Sequence, residues 1–301
     1  MEGCTSQWRG RRVLITGCTG FLGAAVTAEL LNQQAHVIGL IRDRSAGAIF
    51  AREREAGLFH LIHGRIENTF RIHSALAIHE VSAIFHLAHE SAGPKAPGMP
   101  SEVSQIADDR GTAAVLRAAA LHHPRLPVIV AKPANQLRIL NSNVEGTAIP
   151  HGIARFGELF GGTDRRMSRV VPRTIAALLA RESGIATEGS KGSPRDFVFI
   201  RDAARACLAV AEAVGSGSYP LDVTFRSGWK LTEPEMARFV GDVFASRKLE
   251  VALEETPANP FGWRPANSLE TAVTETIEWY RESARSQAES SRATDLVRKA
   301  A

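Results

Sequence analysis

The chain has 301 residues, 44% of them hydrophobic and 23% charged, which is enough for one large core or two coupled lobes and too apolar for general disorder. Its 36 Lys and Arg against 32 Asp and Glu leave a net charge of +4 with no long basic run, which argues against nucleic acid as a partner. Cys4, Cys18 and Cys207 lie too far apart to suggest a disulfide framework, and no apolar run approaches a signal core or a membrane span, so a reducing, cytoplasmic setting without a membrane is expected.

In chain order, Val13–Thr16 predicts a first strand, Phe21–Gln33 a helix and His36–Ile41 a second strand. A helical stretch around 46–56, a strand at Phe59–His63, a helix at Ile72–His79 and a strand at Ala83–Ala88 follow. A helix from about Ile106 to His122 then leads to a fifth strand at Pro127–Ala131. This alternation predicts an α/β fold with a Rossmann-like, doubly wound parallel sheet. The rest is less regular, with a strand at His151–Arg155, a helical run at Pro172–Arg181 and a loop at Glu188–Pro194. The expected organisation is a dinucleotide-binding domain at 1–160, a smaller C-terminal α/β substrate lobe at 161–285 and a polar tail, frayed or loose, at 286–301.

The sharpest local signal is Val-Leu-Ile-Thr-Gly-Cys-Thr-Gly-Phe-Leu-Gly at 13–23, an apolar run that ends in glycines and passes into a helical pattern. Gly17 permits a tight turn, Gly20 lets backbone N–H groups approach a pyrophosphate, and Gly23 lets helix pack closely on strand. Gly17, Thr19, Gly20, Phe21, Leu22 and Gly23 are therefore candidate cofactor contacts.

These phrases, taken together, resemble the extended short-chain dehydrogenase/reductases, the nucleotide-sugar epimerases and 4,6-dehydratases. Ile84-Phe85-His86-Leu87-Ala88 is similar to the family's strand-four phrase, and Arg155-Phe156-Gly157-Glu158-Leu159-Phe160-Gly161 to its Arg-x-Gly-Asn phrase. Ser168-Arg169-Val170-Val171-Pro172 and Arg195-Asp196-Phe197-Val198-Phe199 resemble substrate-lobe phrases, and Gly262-Trp263-Arg264-Pro265 the C-terminal signature. The resemblance implies a nicotinamide cofactor touching Leu87 and Ala88 and a nucleotide sugar held by Arg155, Arg169 and Arg195. It leaves a homodimer open as a partner. Arg195 is the best diphosphate ligand, with an ion pair to Asp196 or Asp202 as the plain alternative. Glu158 stands where the family has asparagine, and a carboxylate there repels a diphosphate.

At the end of the second strand an acid selects NAD and an arginine NADP. Ile41-Arg42-Asp43 favours NADP through Arg42, while Asp43 leaves NAD open; after the third strand, Arg65 replaces the family's acid.

The resemblance also implies a Tyr-x-x-x-Lys helix supplying a tyrosinate base. The tyrosines are Tyr219 and Tyr280, and four residues after each stand Val223 and Ala284. Too few positions separate Val130 from Arg155 for the usual active-site loop, helix and strand, so a helix-sized segment is read as missing, which should expose apolar surface around Val128–Val130. Lys132 and His89 are the weak substitutes, with structural roles as their plainer reading; His86 and His89 are three apart on a strand end and a poor metal pair. Serine-hydrolase chemistry has no Gly-x-Ser-x-Gly to stand on. Three functions remain open: a dinucleotide-binding member impaired in standard catalysis, an active dehydratase or epimerase using other residues, and a non-catalytic ligand-binding or partner subunit. A truncated product of a gene whose intact form is the enzyme is a further possibility, and it carries the same sequence signature as the non-catalytic member.

Overall fold

The computed structural model describes residues 7–42, 50–88, 101–135, 143–144, 147–181, 192–247 and 255–300. They fall into two compact units, Met1–Phe156 with Ala203–Phe225, and Gly157–Asp202 with Arg226–Ala301.

The first unit runs β1 (Arg12–Thr16), α1 (Phe21–Asn32), β2 (His36–Ile41), α2 (Ala51–Glu55), β3 (Phe59–His63), α3 (Thr69–Ile78), β4 (Ala83–His86), α4 (Ser101–His122) and β5 (Val128–Pro133). A hairpin, β6 (Asn143–Val144) and β7 (Thr147–Ala148), precedes β8 (His151–Phe156). The second unit supplies β9 (Glu158–Phe160), α5 (Val170–Ala180) and β10 (Arg195–Phe199). Helix α6 (Ile200–Gly215) and β11 (Leu221–Phe225) return the chain to the first unit, and β12 (Lys230–Leu231), α7 (Glu233–Phe244) and α8 (Leu269–Ala300) complete the second.

The seven-stranded sheet has the order β11-β8-β5-β4-β1-β2-β3, every neighbouring pair parallel. Its inner strands β1, β2 and β4 read as largely apolar runs because both faces are covered; Val13, Leu14 and Ile15 are all wholly buried. Leu14, Ile38, Ile84, Val128 and Val130 face a core built with Ile72 and Leu76 of α3 and Val115 and Leu116 of α4. Ile129, alternating with Val128 and Val130, points to the opposite face, and its register partner Gly152 meets Val210 and Val214 of α6. The segment Ala203–Phe225, which the sequence alone placed in the substrate lobe, belongs here because β11 adds to β8 in parallel.

Between β5 and β8 no helix occurs among the described residues, and the parallel crossover is made through the β6–β7 hairpin. The expected exposure around Val128–Val130 is not found: Val128, Ile129 and Val130 are fully buried. The hairpin runs against α4, and Ile149 on its return closes the same core, so apolar cover is retained.

In the second unit β9 pairs in parallel with β10, and β12 antiparallel with β10. Phe160, Phe197, Phe199 and Trp229 pack as a tilted aromatic cluster, with ring centroids 5.6 to 6.5 Å apart. Helix α7 opens on a capping box in which the Thr232 hydroxyl accepts from the Glu235 N–H and the Glu235 carboxylate accepts from the Thr232 N–H. The polar stretch from 286 onward continues α8 to Ala300. Among the described residues no helix is long and apolar enough to cross a membrane.

Candidate functional site

The turn between β1 and α1 is built by its glycines. Gly17 takes φ +76°, and a Cβ on it would meet Ala88 N at 2.6 Å, so the turn lies directly on the chain leaving β4. A Cβ on Gly23 would stand 1.9 Å from the Gly17 carbonyl oxygen, and the Gly20 N–H donates to that same oxygen at 2.9 Å. Gly20 caps α1 without any side-chain hydrogen bond, and the first turn carries no acid. A helix start with backbone N–H groups uncapped by side chains, beside a cradle that any Cβ would fill, fits the pyrophosphate of a dinucleotide. Thr19 and Gly20 are exposed at this mouth, Phe21 and Leu22 half-buried, and Leu87 and Ala88 form its opposite wall. The order β2-β1-β4 makes this the point where the sheet reverses direction of winding, the crevice where such folds hold ligands.

Beneath the turn lies a buried polar chain that sequence reading did not isolate. Thr16 Oγ1 and His86 Nδ1 are 2.7 Å apart, and His86 Nε2 and Thr112 Oγ1 are 3.0 Å apart. The Ala88 N–H donates to Thr16 Oγ1 at 3.3 Å. Each ring nitrogen of His86 therefore has a hydroxyl partner, Thr16 on Nδ1 and Thr112 on Nε2. His86 is thus committed to the core on both nitrogens and is no metal ligand; His89 lies outside the described residues.

At the carboxyl ends of β2 and β3, Gly64 N–H donates to the Ile41 carbonyl at 3.0 Å, bringing Arg42 beside Gly64 and Arg65. Arg65 Nη2 is 3.2 Å from Glu67 Oε1, and Arg71 Nε donates to the His63 carbonyl at 3.1 Å. Glu67 is held below the usual carboxylate range by its own backbone N–H first, then by Arg65, with the charge of Arg42 adding to it.

At the carboxyl edge of β5, Lys132 is buried and stands in register with Arg155 of β8. Arg155 also is buried, and it forks onto Asp222 of β11, Nη2 to Oδ2 at 2.7 Å. That pairing, which raises the guanidinium pKa through the Asp222 hydrogen bond, ties β8 to β11. Arg155 belongs to the first unit and Arg169 and Arg195 to the second.

Within the second unit the arginines form an alternating network. Arg169 Nη1 donates to Asp164 at 3.0 Å and Nε lies 3.4 Å from Glu158; Arg195 Nη1 lies 3.8 Å from Glu158 and 3.1 Å from Glu233. Glu233 also reaches Arg173 at 3.5 Å. The expected partners of Arg195 are otherwise engaged. Asp196 accepts from Ser227 N and Oγ and from Gly228 N, while Asp202 accepts from Ala266 N beneath Trp263. Burial nevertheless raises the Asp196 pKa, outweighing those bonds.

Neither tyrosine is placed as a base. Tyr280 is buried in the second unit and donates to the Asp164 carbonyl; burial first, and the Asp164 charge next, push its hydroxyl pKa up. Tyr219 is exposed and precedes the cis peptide to Pro220.

Residues 13–134 and 123–222 match the model of the NAD dependent epimerase/dehydratase family. No curated protein matches the chain. The fold is similar to that of UDP-N-acetylglucosamine 4-epimerase from Methanobrevibacter ruminantium, with TM-score 0.70 and 17% identity over 91% of this chain and 99% of that one. UDP-glucose 4-epimerase from Thermotoga maritima gives 0.67 and 16% over 91% and 99%. dTDP-glucose 4,6-dehydratase from Bacillus anthracis, solved with NAD, gives 0.69 and 14% over 91% and 97%.

Proposed function

Because the chain belongs to the NAD dependent epimerase/dehydratase family, we propose that it holds a nicotinamide dinucleotide, NADP by preference, together with a nucleotide sugar, and lacks the family's tyrosinate-driven catalysis. The ligand class follows the similar structures, whose names specify UDP sugars and dTDP-glucose. When bound, the nicotinamide supplies a hydride acceptor for a sugar carbon. The chain's own part is binding: the Gly17–Gly23 turn for the pyrophosphate, Arg42 for a ribose phosphate, and Arg169 and Arg195 as guanidinium donors in the substrate lobe. The cytoplasm is its setting in this reading, and a homodimer its self-association.

The observation that carries the loss of catalysis is the fate of the tyrosines. A base needs a lowered pKa and a neighbouring cation; Tyr280 has a raised one and is spent on Asp164, and Tyr219 has no lysine four residues on. A second reading, an active member with an unorthodox base, is favoured by one feature, the buried Lys132 at the catalytic edge of the sheet.

Thermal-shift titration with NADPH, NADH, UDP-glucose, dTDP-glucose and GDP-mannose, paired with product analysis, tests both. A melt raised by NADPH and by a nucleotide sugar without turnover is the expected result. Turnover by pure protein overturns the proposal, and its loss in Lys132→Ala would then support the second reading.

A further inference from the structure

The rim formed by the ends of β2 and β3 holds three guanidinium groups around one glycine. Arg42 follows β2, Arg65 follows Gly64 at the end of β3, and the Arg71 side chain lies over Gly64, its Cγ 3.1 Å from where a Cβ would be. All three are exposed, and Arg71 is steered there from the first turn of α3, whose cap Asn68 accepts from the Arg71 N–H at 2.9 Å. Among the described residues the one carboxylate paired in this rim is Glu67, at 3.2 and 3.4 Å from Arg65. That contact is exposed and between residues two apart, a weak pair that leaves the guanidinium open to solvent. Among the described residues, three cations against one acid make this rim positive, and arginine forks match the oxygens of a phosphomonoester.

The position says which phosphate. The uncapped start of α1 beside β1 is the pyrophosphate position, and β2 and β3 are the next strands outward, so the adenosine half of a dinucleotide runs toward this rim. Adjacent strand ends lie about 4.8 Å apart, within the span of one phosphate group held by two arginines.

Resting on the dinucleotide reading above, we propose that Arg65 and Arg71 join Arg42 in a three-guanidinium cradle for the 2′-phosphate of the adenosine ribose. Arg65 sets the preference for NADP over NAD, and Glu67 is its tether. An arginine at the end of β3 thereby converts the strand end that the resembled family uses for an acid into part of an anion site. Gly64 leaves room for Arg71, since a Cβ at 64 would crowd its Cγ at 3.1 Å.

The test is calorimetric binding of 2′,5′-ADP and of 5′-AMP to the full chain, in the wild type, Arg65→Gln, Arg71→Gln and Glu67→Gln, with circular dichroism melts confirming that each variant is folded. The wild type should bind 2′,5′-ADP at least about tenfold more tightly than 5′-AMP, the factor expected of one charge-assisted hydrogen-bonded contact. Arg65→Gln should shrink that ratio about tenfold with 5′-AMP affinity unchanged, Arg71→Gln should shrink it by a smaller factor, and Glu67→Gln should hold or raise it. Equal weakening of both nucleotides in Arg65→Gln would place the guanidinium on the adenine instead and overturn the proposal. An unchanged ratio in Arg65→Gln would overturn it too, while binding of 5′-AMP and NADH leaves the dinucleotide reading standing. Failure of all of these ligands to bind the folded wild type would remove both.

Discussion

Thr16 and His86 meet at 2.7 Å under the glycine turn, joining the end of β1 to the end of β4 at the place where Gly17 presses on Ala88. The hydroxyl bridges two groups, accepting from the Ala88 N–H and sharing a hydrogen bond with the imidazole. Thr16→Val keeps the shape and deletes the hydroxyl, leaving two buried polar groups without their partner. A loss of about 1–3 kcal/mol per stranded group is expected in urea unfolding, with weaker dinucleotide binding, and Thr16→Ser should restore most of both. Equal stability of the valine and serine variants would show that the hydroxyl contributes nothing.

Two glycines separate steric need from backbone freedom. Gly23→Ala drives a methyl against the Gly17 carbonyl, 1.9 Å from the ideal Cβ, so helix and turn must part. It should cost about 1–3 kcal/mol and abolish NADPH-dependent stabilisation in a melt. Gly57→Ala meets nothing within 4 Å and carries only the strain of φ +72°, about 1 kcal/mol, with ligand response intact. Retention of a full NADPH shift by Gly23→Ala would remove the turn from the binding site.

Glu158 occupies guanidinium donors proposed for an anionic ligand, at 3.4 Å from Arg169 and 3.8 Å from Arg195. These are loose, partly exposed pairs, so Glu158→Gln should alter stability by less than about 1 kcal/mol. Its effect should appear in binding, as a several-fold gain in affinity for uridine diphosphate measured by calorimetry. Weaker binding by the glutamine variant would mean that the carboxylate organises the arginines for the ligand instead of competing with it.

Mild acid should destabilise the first unit. Burial, then His60 and Arg12, lower the His79 pKa, and burial, then His73 and His123, lower that of His122, both from 6.5. Their native values lie below the unfolded one, so between the two the unfolded chain binds more protons and stability falls as pH falls. The loss begins near pH 6.5 and proceeds through the depressed native values. Urea midpoints at pH 7.5, 6.5 and 5.5 should decline, and more shallowly in a His60→Asn/His73→Asn variant, which lifts the imidazole repulsion and leaves burial. A flat profile in the wild type would contradict the shifts.

Periodicity and glycine spacing were sufficient to read the sheet strands from β1 to β5 and β8, and the inner ones β1, β2 and β4 most plainly, because a parallel strand covered on both faces must be largely apolar whatever its neighbours. The glycine turn was legible for the same local reason: tight backbone approach excludes Cβ atoms, and Gly17, Gly20 and Gly23 leave that mark on the sequence itself. Absence of Tyr-x-x-x-Lys is likewise a property of the string of residues. Tertiary structure decided what depends on distant partners. It buried Val128–Val130 with Ile149 and the hairpin where a missing helix predicted exposure, carried Ala203–Phe225 back to the first sheet, and gave Arg155 to Asp222 and Arg195 to Glu158 and Glu233. Charged side chains choose partners by distance in space, and those carboxylates lie from 37 to 67 positions away along the chain.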